Sequence, residues 1–403
     1  MADIAVIGAG VVGVSTAYML ARRGYQVTLV DAAGAPGTGA SAGNAAQLSW
    51  AYGDAMASPA LIRHLPAVAL GRDPAFRIAW QADPDFLIWG LRFLANATPS
   101  RWWANTSAIL ELAAISRQEL ATLLRVTGIA FDYRLAGKLH LYSDAASFGA
   151  ARATVERKNA LGLDQRMLGR EEAEDIEPAL RVYQSEITGA VYTPGDALGD
   201  AASYCRALTD YLVRKYGMKT LLGHRVCGLH TDKGRLRALR FLDRDYLQVE
   251  KAVLAAGPGA PILYREVPEA RAIRPVRGYS LTIPLSAGSP RVSLTDVKRK
   301  LAFAAIGDRF RVAGLADITA VGASFDRERF CALRTAASSV LPEFETPGPG
   351  ETIWSGERPT TPSSRPIMRA SRQTRGLYLN IGHGMLGWTL ALGSARRMVD
   401  LIG

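Results

Sequence analysis

Three glycines and one aspartate near the start of the chain have the types and spacing needed to hold a dinucleotide. Gly8, Gly10 and Gly13 follow the apolar run 4–7, and Asp31 stands 18 residues after Gly13. In such a fingerprint the first glycine permits a tight turn, the second lets a pyrophosphate approach the backbone, and the third lets a helix pack close to the sheet. The acid suits ribose hydroxyls and disfavours a 2′-phosphate. The pattern therefore predicts NAD or FAD binding without separating the two.

These residues require a strand, a helix and a second strand in succession. The run 4–7 predicts a buried parallel strand, residues 11–23 predict a helix that ends at Gly24, and residues 26–30 predict the second strand. Similar segments recur in the middle of the chain and at its end, with helices and antiparallel strands between them. The sequence thus predicts an α/β protein, with a Rossmann-like domain on a parallel sheet and a discontinuous second domain of mixed antiparallel sheet plus helices.

The predicted domains interrupt each other along the chain. Residues 1–50, 182–262 and 352–403 are assigned to the dinucleotide-binding domain, and residues 51–181 and 263–351 to the substrate-binding domain. A chain of 403 residues is long enough to bury the cores of two domains.

The composition is that of a globular protein with an excess of positive charge. Hydrophobic residues make up 48% and charged residues 21% of the chain, and no run of 18 apolar residues predicts a transmembrane helix. Forty of the 48 basic residues are arginine, and the formal net charge is +11. This charge indicates either a compositional bias or attraction to an anionic substrate or membrane surface. The arginines are dispersed and no nucleic-acid motif is present, so we expect no nucleic-acid partner.

The cysteines and the start of the chain bear on its location. Cys205, Cys227 and Cys331 are scattered, which favours reduced thiols in the cytoplasm and predicts no metal site. Because the first predicted strand begins at residue 4, we expect no signal peptide. Aromatic clusters between residues 86 and 103 predict either core packing or peripheral contact with the inner face of the cell membrane.

Several separated motifs carry a resemblance to a known family. Besides the fingerprint, the chain contains SAGNA at 41–45, VLAAG at 253–257, RGYSLT at 277–282, WSGERPTTP at 354–362 and NIGHGMLGWT at 380–389. Together these resemble the D-amino-acid oxidase superfamily of FAD-dependent oxidoreductases, and within it the bacterial D-amino-acid dehydrogenases of the small-subunit type. The likeness extends over essentially all 403 residues.

The resemblance implies non-covalently bound FAD and oxidation of a D-amino acid by hydride transfer from its α-carbon to flavin N5. The imino acid would hydrolyse to a 2-oxo acid, and a quinone, another respiratory acceptor or an artificial dye would receive the electrons. The chain departs from the family pattern at residues 50–57 and at Ser363, which replaces the usual acid. A branch that oxidises cyclic D-amino acids, such as D-proline or cis-4-hydroxy-D-proline, is therefore a candidate.

The resemblance also implies three catalytic side chains. Arg358 would clamp the substrate carboxylate with two hydrogen bonds, unless it forms a structural ion pair, and Arg277 is the competing clamp. Tyr279 would donate a hydrogen bond to the same carboxylate or pack as a half-buried strand residue. His383 would contact the substrate or the flavin edge, or would be a hydrogen-bonded loop residue, which is the interpretation we favour.

The predicted cofactor-binding residues come from the fingerprint and from the resemblance. The turn 382–387 is expected to direct backbone N–H groups and the N-terminus of the last helix at the flavin pyrimidine edge, where reduced flavin carries negative charge. Val226 matches the family position whose backbone holds adenine. The full set is Gly8, Gly10, Val11, Val12, Gly13, Asp31, Ala32, Ser41, Asn44, Ala45, Gln47, Val226, Ala256, Gly257, Arg358, Gly384, Met385, Leu386, Gly387, Trp388 and Thr389.

Other functions stay open on sequence alone. An oxygen-using amine oxidase of the glycine or sarcosine type would release hydrogen peroxide. The FAD subunit of a multi-subunit amine or opine dehydrogenase would need partner subunits, because the chain has no iron–sulfur cysteines of its own. A catalytically silent FAD-binding protein would be yellow but not reduced by any amine. An NAD-linked reductase is the least favoured, because only one glycine fingerprint is present.

Overall fold

The computed structural model describes residues 3–257, 266–320, 322 and 326–403. Helices in the described residues are α1 (Val11–Arg22), α2 (Pro59–Ala69), α3 (Pro84–Asn96), α4 (Pro99–Thr127), α5 (Ala145–Asn159), α6 (Arg170–Ile176), α7 (Ala201–Tyr216), α8 (Arg327–Ser338) and α9 (Gly387–Ile402). Short 3₁₀ turns occupy Pro178–Val182, Pro268–Ala272, Pro342–Phe344 and Gly384–Leu386.

The strands alternate with these helices along the chain. They are β1 (Asp3–Ile7), β2 (Gln26–Asp31), β3 (Gln47–Leu48), β4 (Phe76–Ile78), β5 (Lys138–Tyr142), β6 (Arg166–Leu168), β7 (Gly189–Thr193), β8 (Ala197–Leu198), β9 (Lys219–Leu222), β10 (Val226–Asp232), β11 (Arg235–Phe241), β12 (Leu247–Gln248), β13 (Lys251–Leu254), β14 (Arg274–Pro284), β15 (Ser293–Asp296), β16 (Leu301–Ile306), β17 (Arg309–Ile318), β18 (Thr352–Thr360), β19 (Ile367–Ala370) and β20 (Leu377–Ile381).

One sheet has the strand order β19–β20–β13–β1–β2–β9, and its strands are parallel except that β19 runs antiparallel to β20. Its central strand β1 is apolar and buried from Ile4 to Ile7, as a parallel strand covered on both faces must be. Helix α1 packs against α7 and α9 beside this sheet. A small antiparallel sheet of β10, β11 and β12 supplies Leu236 and Leu239 to a core that also contains Ala5 and Ile7.

A larger mixed sheet has the order β18–β14–β17–β16–β15–β5–β7–β6, with β4 paired to β17. Helix α8 packs against β14 and β17, and Phe330 and Leu333 of α8 belong to the same core as Phe303, Phe310 and Phe344. The predicted fold class, a parallel-sheet domain with a second domain of mixed sheet and helices, is confirmed.

The two sheets divide the chain differently from the predicted bounds in three places. Strands β7 and β18 belong to the large sheet, although they lie in the segments 182–262 and 352–403 that were assigned to the dinucleotide-binding domain. Helix α4 was assigned to the other domain, yet it packs against α9 and shares a core with α1. Pairing partners far away in sequence decide these placements, and local patterns do not reveal such partners.

No helix in the described part of the chain combines the length and the apolar character that crossing a bilayer would need.

Candidate active site

The turn between β1 and α1 is closed by contacts that only glycine allows. Gly8 has a φ of +115°, and a Cβ atom there would lie 2.6 Å from the carbonyl oxygen of Ala255. A Cβ atom on Gly13 would lie 1.7 Å from the carbonyl oxygen of Gly8. Gly13 therefore acts by letting α1 pack against the turn, and it lines neither of the cavities described below.

Asp31 fastens the same turn from the end of β2. Its carboxylate accepts hydrogen bonds from the backbone N–H groups of Ala9 (2.6 Å) and Ala33 (2.8 Å). Asp31 also lines a cavity of about 490 Å³ that runs along the turn, here called the fingerprint cavity. Twelve of the predicted cofactor residues line it: Gly8, Gly10, Val11, Val12, Asp31, Ala32, Ser41, Val226, Ala256, Gly257, Gly384 and Gly387.

The fingerprint cavity has the properties of an anion site. The N-cap residue of α1, Gly10, has no side chain to cap the helix, and the Val11 N–H donates to the Ser41 hydroxyl at 3.2 Å. A Cβ atom on Gly10 would meet only Ser41 Oγ, at 3.4 Å, and one on Gly39 would meet no described atom within 4 Å. The wall is therefore open and presents helix N–H groups, which suits a pyrophosphate.

A second cavity of about 600 Å³, here called the central cavity, adjoins the first. Val11, Ser41, His383, Gly384 and Gly387 line both cavities, so the two would accept one elongated ligand. The remaining predicted cofactor residues line the central cavity: Asn44, Ala45, Gln47, Arg358, Met385, Leu386, Trp388 and Thr389.

Contacts from the large sheet position the segment 44–47. Arg311 donates a hydrogen bond to the carbonyl oxygen of Asn44 (2.9 Å), and Gln47 Nε2 donates to Ser293 Oγ (2.7 Å). Burial lowers the pKa of Arg311 to about 10, so this arginine stays protonated at neutral pH. Sequence reasoning missed Arg311, because its role depends on contact with a segment more than 260 residues away.

The turn before α9 closes the same region. Gly382 and Gly384 have φ values of +80° and +55°, and a Cβ atom on Gly382 would lie 2.6 Å from Thr361 Cγ2. Helix α9 begins at Gly387 with no described side-chain cap, and Gly387, Trp388 and Thr389 of its first turn line the central cavity. This end of the helix stabilises negative charge placed there.

His383 lies in this turn and is almost completely buried. Its Nε2 atom is 2.9 Å from Ser394 Oγ in α9, in a hydrogen bond that ties the turn to the helix. Burial lowers the pKa of His383 to about 3, so the imidazole is neutral at physiological pH. His383 thus combines a hydrogen-bonded structural position with a place in the lining of both cavities.

Arg358 lies on β18 and lines the central cavity. Its Nη1 donates to the carbonyl oxygen of Leu315 at 3.2 Å, and it forms no ion pair with a described residue. Arg358 pairs with Val276 of β14, and its side chain extends over Gly278, where a Cβ atom would lie 2.0 Å from Arg358 Nη2. Burial lowers the pKa of Arg358 to about 10, opposed by the charge of Asp317, so the guanidinium remains a cation.

The structure places Tyr279 and Arg277 elsewhere. Because alternate residues of a strand face opposite sides, Gly278 faces Arg358 while its neighbours face away. Tyr279 packs edge-on against Phe330 of α8 and donates its hydroxyl to Asp317 at 2.8 Å. Arg277 forms an ion pair with Glu357 at 3.1 Å. Neither Tyr279 nor Arg277 is among the described residues that line the two cavities, so the structure does not bring them together with Arg358 at the central cavity.

Sequence reasoning also missed a polar wall of the central cavity. Ser49, Tyr52, Asp54 and Lys138 line it, and Lys158 lies against Asp54 with a 2.7 Å ion pair. A signal was available, since residues 50–57 depart from the family pattern and Lys138 and His140 alternate with leucines along the chain. The sequence alone does not show that Ser49 and Lys138, about 90 residues apart, lie side by side.

Known proteins resemble this chain both in sequence and in fold. The family model described as FAD dependent oxidoreductase matches residues 3–401. The chain belongs to this family. The resemblance stated from the motifs is thereby confirmed, and so is FAD as the cofactor of the protein.

Individual members of the FAD-dependent oxidoreductase family show how far the likeness extends. D-amino acid dehydrogenase 2 of Ralstonia nicotianae is 36% identical, with 99% of this chain and 96% of the relative covered. D-amino acid dehydrogenase of Paramagnetospirillum magneticum is 39% identical, with 99% of this chain and 94% of the relative covered.

Among solved structures, glycine oxidase from Bacillus cereus has a TM-score of 0.73 at 20% identity, with 100% of this chain and 95% of the other chain covered. L-proline dehydrogenase from P. horikoshii has a TM-score of 0.72 at 18% identity, with 100% and 93% covered. These two structures share the fold of this FAD-dependent oxidoreductase.

Proposed function

We propose that this protein is a D-amino acid dehydrogenase that oxidises a free D-amino acid to an imino acid, which water then converts to a 2-oxo acid. The observation that supports this most strongly is Arg358, a partly buried guanidinium that lines the central cavity without an ion-pair partner among the described residues. A free carboxylate is the partner that such a guanidinium fits best. The relatives named D-amino acid dehydrogenase support the substrate class.

In this proposal the two cavities hold FAD along their shared lining. The fingerprint cavity, with Asp31, Val226 and the α1 N-terminus, takes the adenosine and pyrophosphate portion. The central cavity, with Asn44, Gln47 and the turn before α9, takes the flavin ring. FAD, when bound, supplies the two-electron oxidant for the substrate α-carbon.

The protein's own residues then have distinct tasks. Arg358 fixes the substrate by its carboxylate, and so sets which face of the α-carbon is presented. The N-terminus of α9 stabilises negative charge at the edge of the central cavity. His383 is neutral and holds the turn in place through Ser394, which makes it a positioning residue.

The reaction class is tested by anaerobic loss of flavin absorbance near 450 nm with matched D- and L-amino acids, including D-proline and cis-4-hydroxy-D-proline. We expect D-isomers alone to remove the colour. Hydrogen peroxide release in air at the rate of substrate oxidation would instead indicate an oxidase. A yellow protein that no amino acid reduces would contradict the proposal.

The role of Arg358 is tested by Arg358→Ala. We expect the yellow colour to persist and the Michaelis constant for D-amino acids to rise sharply, because loss of a buried charged contact costs about 2–5 kcal/mol. Arg365→Ala is the matched control, since Arg365 is an exposed arginine seven residues along the chain. An unchanged Michaelis constant in Arg358→Ala would exclude this arginine as the clamp.

We further propose that the electrons pass to a membrane quinone while the protein is bound peripherally to the bilayer. Helix α3 supports this proposal, because it exposes Leu87, Ile88, Leu91 and Leu94 along one side. Its other side buries Phe86, Trp89 and Phe93 against Val276 and Ile318. The aromatic residues predicted to pack or to contact a membrane thus pack, and aliphatic neighbours remain exposed.

A further inference from the structure

One end of the central cavity is polar, and the function proposed above does not use it. Its wall includes Ser49 and Tyr52 from the segment after β3, Lys138 at the start of β5, and Thr295 on β15. Strands β5 and β15 pair in parallel, with Lys138 beside Ser293 and His140 beside Thr295. The side chains of Lys138 and Thr295 therefore project from the same face of the sheet.

Lys138 is a buried ammonium group with few partners. Its side chain is 3% exposed, its Nζ donates to Ser49 Oγ at 2.8 Å, and it lies 4.8 Å from the ring centroid of Tyr52. Among the described residues no carboxylate lies within 4.0 Å of it, whereas the neighbouring Lys158 has Asp54 at 2.7 Å. Lys138 is thus the lysine of this cluster that lacks a carboxylate in direct contact among the described residues, although the charges of Asp196 and Asp54 act on it from further away. An anion in the cavity would give it such a partner, and a buried charge without a close partner is costly.

The surrounding groups preserve the positive charge. Burial lowers the pKa of Lys138 to about 8, opposed by the charges of Asp196 and Asp54 and helped by Lys158, so most of it is protonated at neutral pH. Asp196 is buried nearby; its Oδ1 accepts the backbone N–H groups of Trp50 and Ala51, its Oδ2 has no hydrogen-bond partner among the described residues, and burial raises its pKa to about 6. His140 beneath Tyr52 has a pKa held well below its ordinary value by burial and by the two lysines, so it adds no charge.

Thr295 provides a second, independent observation. Its Oγ1 atom is buried and has no hydrogen-bond partner among the described residues, and Thr295 lines the same cavity. Buried hydroxyl groups are nearly always hydrogen-bonded, so this one calls for an acceptor that the protein itself does not provide.

We propose that Lys138 and Thr295 form a second anion subsite in the central cavity, and that the preferred substrates are D-amino acids whose side chain ends in a carboxylate. This inference rests on the proposed function: Arg358 holds the α-carboxylate, and the second subsite holds the side-chain carboxylate. The two substrate charges then meet one cation each.

The test compares pairs of substrates that differ only in charge, D-glutamate with D-glutamine and D-aspartate with D-asparagine, by anaerobic flavin reduction. We expect the acidic member of each pair to react with at least about tenfold higher kcat/KM. Lys138→Met, which keeps the length of the side chain, should lower kcat/KM for D-glutamate by about 30-fold or more, since it removes one partner of a desolvated charge pair. D-glutamine should change by less than about threefold, and Lys138→Arg should restore part of the preference.

Two controls keep the result interpretable. Lys219→Met removes an exposed lysine from β9 and should leave both substrates unaffected. Binding of glutarate, an unreactive dicarboxylate, is followed by the shift in flavin absorbance and compared with butyrate. Wild-type protein should bind glutarate more tightly, and Lys138→Met should abolish the difference without loss of flavin.

The outcomes separate this inference from the proposed function. Equal losses on D-glutamate and D-glutamine in Lys138→Met would make Lys138 an α-carboxylate anchor and overturn the proposal, as would no loss on either. If no D-amino acid reduces the flavin but glutarate binding still depends on Lys138, the anion subsite stands and the reaction class falls.

Discussion

At the scale of single residues, His383 makes a pH-dependent contribution to stability. Burial lowers its pKa to about 3 in the folded protein, whereas the unfolded chain keeps the ordinary value of about 6.5. Between these values the unfolded state binds more protons, so the free energy of unfolding falls as the pH is lowered. The slope from one such group is about 1.4 kcal/mol per pH unit, and the full contribution is present above pH 6.5.

The variant His383→Gln, which can keep a hydrogen bond to Ser394, should remove this slope. Urea unfolding of wild type and variant, each with a fixed excess of FAD, gives the comparison between pH 6 and pH 4.5. His230→Gln, at an exposed histidine on β10 that lines neither cavity, provides the matched control. Parallel pH profiles for wild type and His383→Gln would show that His383 is not held neutral.

Residue types and spacing predicted much of the candidate site, but not all of it. The glycine turn, the segment 41–47, Arg358 and the turn before α9 come together around the adjoining cavities. The sequence did not reveal that Tyr279 packs against Phe330 of α8 and donates to Asp317, because α8 comes from elsewhere in the chain. Lys138 has no motif around it, and its importance depends on its burial and on having no carboxylate in direct contact among the described residues, which are properties of the folded chain.

At the scale of elements, the crossing of α4 and α9 depends on a glycine. A Cβ atom on Gly393 would lie 2.3 Å from the carbonyl oxygen of Leu112, and the Gly393 N–H donates to Ser116 Oγ at 2.7 Å. Gly393→Ala should therefore push the helices apart and destabilise the protein by about 1–3 kcal/mol. Gly149→Ala is the matched control in α5, where a Cβ atom would meet no described atom within 4 Å. It should stabilise by up to about 1 kcal/mol.

Opposite signs for these two glycine substitutions, measured by urea unfolding, would confirm the close crossing. A Gly393→Ala protein as stable as Gly149→Ala would contradict it.

The same crossing explains one difference from the predicted domain bounds. The unit β1–α1–β2 was predicted to within one residue at its ends because its signals are local. The side on which α4 packs is decided by Gly393, more than 260 residues further along the chain.

At the scale of the whole molecule, the net charge and the exposed apolar surface both favour binding to an anionic membrane. The chain carries a formal charge of +11, and the exposed aliphatic side of α3 lies close to exposed arginines, Arg92 within the helix and Arg101 just beyond it. Trp80, 67% exposed, packs edge-on beside Phe86 of α3 and extends this surface. An apolar helix face with basic neighbours is typical of proteins that lie on anionic bilayers.

The double variant Leu87→Glu and Leu91→Glu should consequently lose about 90% or more of its binding to vesicles of phosphatidylcholine and phosphatidylserine, because it places two charges where apolar side chains would be buried. Cosedimentation measures the bound fraction, and oxidation of a D-amino acid with a vesicle-embedded quinone should fall with it. Activity with a soluble dye should stay unchanged, since α3 lies outside the central cavity lining. Leu242→Glu, at an equally exposed leucine near β11, is the matched control. Wild-type protein that stays in the supernatant at low salt would contradict the membrane proposal, and a dimer that depends on Leu87 and Leu91 would show that a second copy covers this face instead.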